Sequence, residues 1–454
     1  MTGTIKTVMQ YQPASGTKKL YAVTNSGIYD VTAGGAIGAA AQALTNGYFN
    51  SVNFANSAGT AYLWGCNGTD TPKYWDGAAW ATPTITGIAT PANLIWPVVF
   101  KHRIFAIEKN SMNLWYLPID AIQGLAAVLP YGNILKGGGQ LQSTTSWTLD
   151  AGDGSDDLIA VVSTEGELAI YKGIDPSSAS SWELVGVWRT GKPVGRRCFQ
   201  KLGGDVVILT ENGVFPLSRL LRSGNINYAS ALSNKIQSAF TSAVKTVGIT
   251  IEGWEATVYP QYDALITNIP VGAMSPSAQF VMNTTIGSWC SFSGWTAYCF
   301  QVYEGVLYFG GASGNLYKAW DGTLVSDSDI DITATVKTAY NYFGSKTRLK
   351  LVNLFRLLLL FDEAIEIRWG VSPDYTNVGF NSLDLRGNSL IGSAWDTFYW
   401  NTTYWAGTAE RFKLWRSAAH SPGYALALWL QVITNSANVA WSGTDYILAD
   451  GGAI

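Results

Sequence analysis

Histidine occurs twice and cysteine four times in 454 residues, and Lys, Arg, Asp and Glu together make up only 13% of the chain. Each scarcity removes a class of chemistry. His102 and His420 fall on different expected domains, so neither a Ser-His-Asp arrangement nor a His-rich metal site assembles around them. Cys66, Cys198, Cys290 and Cys299 are dispersed, and a chain of this length needs no disulfide staples, so buried free thiols are expected. Cys290 and Cys299 sit near enough in sequence to lie on adjacent strands, which makes a bridge geometrically available, but their spacing is too wide for a zinc knuckle. A formal net charge of −3 sets up no field that would draw in a polyanion. The opening Met1-Thr2-Gly3-Thr4-Ile5-Lys6 has no apolar core of a secretory signal. The most hydrophobic stretch, Leu354 to Phe361, is far shorter than a membrane span and contains Arg356, so it reads as a buried strand.

Phosphate and acid-base motifs are equally sparse. Lys136-Gly137-Gly138-Gly139 and Gly310-Gly311-Ala312-Ser313-Gly314 lack the Gly-Lys-Ser/Thr ending that grips phosphate and magnesium, and read as turns. The densest carboxylate cluster is Asp153, Asp156 and Asp157, interleaved with Gly152 and Gly154 as in an exposed turn. Basic residues gather at Arg196-Arg197, at Arg219 with Arg222, and from Lys346 to Lys350. A solvated turn is the plain reading of each, and a docking face the functional one. These observations give no cofactor, no metal and no catalytic residue, and the chain reads as a non-enzyme.

What the sequence has in abundance is apolar residues, 47% of the chain, with 48 glycines and 59 aromatics. That composition suits an all-β protein rich in tight turns. A strand-turn-strand phrase recurs, first as Leu20 to Asp30, then with starts near residues 61, 103, 158, 205, 264 and 306. The intervals are those of a propeller blade. The fourth unit resolves into Thr145 to Leu149, Asp157 to Val162, Glu167 to Lys172 and Trp182 to Trp188. The expected fold is therefore a β-propeller of six or seven blades over residues 1–322, followed by a C-terminal β-sandwich-like domain over 323–454. Apolar residues at helical spacing, Leu232, Ile236, Phe240, Val244 and Val247, predict one helix between Ser230 and Val247. It would be capped by Ser230 or Ser233 and ended by Gly248. Its apolar face predicts packing on the core, with Phe240 and Val244 as the alternative contact to a neighbouring subunit. Trp395, Trp400 and Trp405, in an aromatic loop, are candidate interface anchors.

Several phrases resemble virion proteins of tailed bacteriophages: Gln279-Phe280-Val281-Met282-Asn283-Thr284, Gly287 to Trp295, Val306 to Gly311, Leu232 to Ile236 and Thr338 to Gly344. Joined to the blade count, the chain is similar to the tail nozzles of short-tailed phages. That resemblance implies a structural virion protein, one of six in a ring, docked below the portal and adaptor. It also implies contacts to tail fibre or needle proteins, with double-stranded DNA passing through the lumen, a gate on genome ejection, and a place in the virion tail after synthesis in the host cytoplasm. The alternative is a propeller that binds or cleaves host-surface glycan through Trp395, Trp400 and the Asp153 to Asp157 cluster.

Overall fold

The computed structural model describes residues 1–150, 155–223, 228–270, 278–320, 330–362, 365–376, 381–384, 410–412, 415–417 and 422–453. The chain divides into two compact units, Met1–Ala319 and Trp320–Ile454. In the first, each apolar-alternating segment pairs antiparallel with the next across a short turn, because a tight turn is the least costly way to satisfy a strand's backbone groups. Thr24 faces Gly27 across Asn25-Ser26, and Ser163 leads into Glu167 through Gly166. Gly166 has φ +82°, and a Cβ there would fall 2.3 Å from the Gly191 carbonyl oxygen, so the turn admits no side chain.

Among the described residues seven sheets of three or four strands follow one another in this unit, opening on β1 (Thr7–Tyr11), β2 (Asn50–Ala55), β3 (Leu94–Phe100), β4 (Leu141–Asp150), β5 (Phe199–Leu202), β6 (Glu255–Tyr259) and β7 (Cys299–Tyr303), and Ile85–Thr86 pairs parallel with Gly124–Leu125 as a small eighth. Five have four strands, and the sheets of β5 and β7 have three. Opening strands of successive sheets are neighbours from β2 to β3 and on to β7, and β1 lies against both β2 and β7. The N-terminal segment joins the last sheet, with Ile5 N donating to Gly311 O at 3.0 Å. The core runs between sheets as separate apolar clusters. Phe105, Ile107, Ile159 and Val161 fill one of them, and Leu168, Ile208, Phe215 and Trp254 another, all buried.

The expectation of a β-propeller is corrected here. Among the described residues no sheet closes on itself, so what stands is the coarser description of an all-β, multi-sheet unit. Among the described residues two α-helices accompany it. Leu232–Ile236 is a 3-10 turn leading into the helix Gln237–Val247, which Gly248 ends at φ +92° with its N–H on Val244 O. Neither expected serine caps this helix; Ser233 Oγ instead accepts from Val214 N at 3.0 Å. A second helix, Leu217–Ser223, takes the place of a fourth strand after Pro216, with Leu217 and Leu220 buried.

Among its described residues the second unit has two four-stranded sheets. One is built on β8 (Ile332–Lys337), β10 (Glu366–Pro373) and β11 (Leu426–Thr434), and the other on β9 (Arg348–Phe361) paired along its length with β12 (Val439–Ala453). Alternation in β9 sends Phe355, Leu357 and Leu359 into a core shared with Ile367, Leu428 and Leu430. Arg356, on the opposite parity, forks onto Asp445 at 2.9 and 2.5 Å. Lys350 is buried and donates to the carbonyls of Ser345, Arg348 and Tyr424.

In the first unit, the loop from the first sheet is fastened to the second by Asp70. Its carboxylate accepts Asn67 Nδ2 at 2.7 Å, Thr45 Oγ1 at 2.8 Å and Thr45 N at 2.9 Å. Burial would raise this carboxyl, but the donors of Asn67, Thr45 and Asn46 prevail and hold it below the usual range. The stabilisation is thus present above the unfolded value near ~3.9 and is lost as pH falls through the lower folded value. Asp70→Asn is expected to cost about 1 kcal/mol at pH 7 in urea unfolding, with the gap to the native chain closing in acid. A gap that stayed constant down to the acid limb would remove Asp70 from that role.

Candidate functional site

The opening strands of the first unit line an open cavity of about 570 Å³. Its wall is mostly polar and drawn from separate sheets, with Gln10 on β1, Ser51 and Asn53 on β2, Gln200 on β5, Thr257 on β6 and Gln301 on β7. These residues reach one space because the strands alternate, so that every second residue faces away from the apolar clusters. Asn53 also stitches two sheets together, donating to Gln10 O at 3.0 Å and accepting Gln12 N at 2.9 Å. Gln200 and Gln301 donate along their own strands to Lys201 O and Val302 O at 3.0 and 2.9 Å. Trp96 lies in the wall at φ +49°, within the register shift between Ile95 and Pro97. The bulge turns its indole toward the next sheet, where Nε1 donates to Thr144 O at 2.5 Å.

Two charges sit in this wall, and both are buried. Arg197 Nη1 meets Glu255 Oε2 at 2.6 Å, while Nη2 donates to Thr7 Oγ1 at 2.6 Å and Lys6 O at 3.2 Å. The other carboxylate oxygen accepts Phe300 N at 2.6 Å. Burial alone would pull the guanidinium down, but Glu255, with Tyr48 and Cys299, holds it above its ordinary value. The Tyr48 ring lies 4.7 Å below the guanidinium carbon, and burial pushes its hydroxyl up to about 12. One ion pair therefore ties β1, β6 and β7 to the segment before β5. It consumes the charges it brings.

The residues singled out from sequence scatter. Trp395, Trp400, Trp405, Asp153 and His420 lie outside the described residues. Phe240 and Val244 are buried against the core of the first unit, with Phe240 beside Trp254 and Phe280, so their side chains serve packing. Asp157 accepts from Lys101 and from Thr148 Oγ1 at 2.9 Å. His102 is exposed and lies 3.4 Å from Asp120. Cys290 and Cys299 fall in different sheets, and all four thiols are free. Arg219 Nη1 reaches Ser230 O at 3.5 Å. Among the described residues, no group of three His, Cys, Asp or Glu is placed to hold a metal ion. The Arg196-Arg197 pair is where the basic-cluster reading met the site, yet the two arginines diverge. The amides and hydroxyls of the cavity carry no sequence signal, because Gln, Asn and Thr on exposed strand faces look the same.

No protein-family model matches the chain, and no curated protein matches it. Among solved structures it is similar to the crystal structure of BBS1N in complex with ARL6DN soaked with mercury. That likeness has 14% identity and a TM-score of 0.34 and covers 47% of this chain and 60% of that one. The lead-soaked form gives 13% identity and a TM-score of 0.31, covering 47% and 61%. The chain thus spans less than two thirds of the length of those chains, and a likeness this slight carries no functional argument. Among the described residues the open sheets supply no closed channel wall. The expected role as a hexameric tail nozzle with a DNA channel and gate is corrected on that ground. The glycan-binding or glycan-cleaving propeller falls with the same architecture.

Two measurements probe this geometry. Arg197→Met leaves Glu255 buried and unpaired, and is expected to lower stability by about 3–5 kcal/mol in urea, whereas Arg197→Met with Glu255→Leu recovers much of the loss. A single-variant loss below about 1 kcal/mol would show that the pair fastens nothing. Burial pushes the Cys198 and Cys299 thiols up to about 12 and raises Cys66 and Cys290 as well, but Cys290 alone is exposed. A thiol reagent should therefore label Cys290 in the native protein and all four cysteines after denaturation.

Proposed function

We propose that this protein is a binding protein rather than an enzyme, and that its ligand is a neutral molecule rich in hydrogen-bonding groups, held in the cavity between β1 and β7. The observation that carries this reading is the composition of the wall. Gln10, Ser51, Asn53, Gln200, Thr257 and Gln301 present amides and hydroxyls, while Arg197 and Glu255 are spent on each other. A charged ligand would find no complementary charge left free there. Asn50 adds a buried amide oxygen with no hydrogen-bond partner, an acceptor that a bound donor or a water would satisfy.

Recognition without chemistry fits the same wall. Amides and hydroxyls orient a ligand through directional bonds but are poor general acids, bases or nucleophiles unless a neighbouring base activates them. The volume, about 570 Å³, lies in the range of small-molecule sites. A thermal-shift screen of neutral polyols, amides and nucleosides tests the proposal. A ligand at a hundredfold excess over its Kd stabilises the folded state by about 2.7 kcal/mol, enough for a clear rise in Tm. The rise should vanish in Gln200→Leu and Gln301→Leu variants that keep the native Tm without ligand. A response equal in those variants, or turnover of a bound compound, would overturn the reading.

A further inference from the structure

Adjacent residues on β3 and on the segment before β5 separate the cavity above from a second one. Trp96 and Arg197 face the first, and Ile95 and Arg196 line the second, a space of about 320 Å³. This one is charged. Lys109, Lys192 and Arg196 line it, with Glu165 as the carboxylate in the wall. Lys192 Nζ is neutralised by Glu165 at 2.9 Å. Lys109 Nζ has a backbone partner, the Gly68 carbonyl at 3.3 Å, and the Arg196 guanidinium carbon lies 5.8 Å from the Tyr48 ring. Among the described residues neither has a carboxylate within ion-pair distance.

Two uncompensated cations on one concave wall are unusual in a chain with so few charges. Like charges on one concave wall repel each other, and the arrangement becomes favourable when an anion is shared between them. An arginine adds a planar fork suited to two oxygens of one oxyanion, and a lysine adds a point charge. The backbone helps to hold the mouth in shape. Gly195, also in the lining, has φ +67°, and its N–H donates to Ile249 O at 2.8 Å. Gln142 donates to Pro193 O at 3.4 Å and to Gly195 O, fixing the loop that presents Arg196.

We propose that this second cavity binds the oxyanion of a small molecule, a phosphate ester or a carboxylate, between Lys109 and Arg196. The inference is independent of the neutral-ligand reading, since its charged residues lie outside the first cavity. Calorimetric titration of the full chain at low ionic strength with inorganic phosphate, and separately with citrate, provides the test. Saturable binding of either anion is expected, and which one binds more tightly identifies the source of the oxyanion. Lys109→Gln with Arg196→Gln should weaken binding at least tenfold. Lys109→Arg with Arg196→Lys should retain it and guards against a mere folding defect. Lys18→Gln, at the exposed pair with Glu304, serves as the control. No saturable binding of either anion, or an equal loss in the control, would overturn the proposal.

Discussion

Everything in the first unit is arranged around the buried contact of Arg197 with Glu255. Its position explains its weight. Glu255 opens one sheet and accepts from Phe300 at the start of the next, while Arg197 precedes β5 and reaches Thr7 on β1. Four segments distant in sequence thus meet on one pair of side chains. A buried ion pair is a poor source of net stability, because desolvating two charges offsets most of their attraction. What it supplies is selectivity of arrangement. Any packing of the sheets that separated the partners would leave a charge in the interior with nothing to pair it.

That constraint is needed because the sheets themselves are interchangeable in kind. Apart from one two-stranded parallel pair, each is an open antiparallel meander of three or four strands with an apolar face, and apolar faces discriminate poorly among partners of similar shape. Directional polar contacts do the discriminating. Asn53 bridging β1 and β2 and Asp70 holding Thr45 act in this sense between the first two sheets, and Trp96 reaching Thr144 does so between the third and fourth. The outer edges are handled locally. The strand Trp182–Arg189 exposes Leu184, Val185 and Val187, but its pairing slips beside Tyr171, and the bulge spoils the regular edge that another chain would need.

Much of this was legible in the sequence wherever a local rule governs. The four strands of the fourth sheet lie close to where alternation puts them, since each side chain's face is fixed by period two. The helix Gln237–Val247 likewise follows from Phe240 and Val244 at helical spacing. The local rule failed where a tertiary partner decided the outcome. Leu217–Ser223 reads as the tail of a hairpin, but Ser218 bonds to Asp205 at 2.5 Å and Leu220 is buried, so the chain coils there. Ser233, a good cap by type, is taken by Val214. How successive meanders are arranged in space is set by contacts hundreds of residues apart, such as Ile5 with Gly311, and hairpin spacing does not encode them.

The two arginines at 196 and 197 show why the site in particular escaped sequence reading. As a doublet they suggest one basic surface, because a run of like charge usually shares one solvated turn. Here, however, Arg196 sits in a bend and Arg197 in an isolated bridge to Glu255, and the two enter different environments. Arg197 goes inward to a carboxylate that lies 58 residues later in the chain. Arg196 lines a cavity where Lys109 is its companion and, among the described residues, no carboxylate lies within ion-pair distance of either. The same chemical group is thus structural at one position and available at the next. The difference lies in whether a distant acid arrives to meet it, which depends on the packing of sheets and not on the residue or its neighbours.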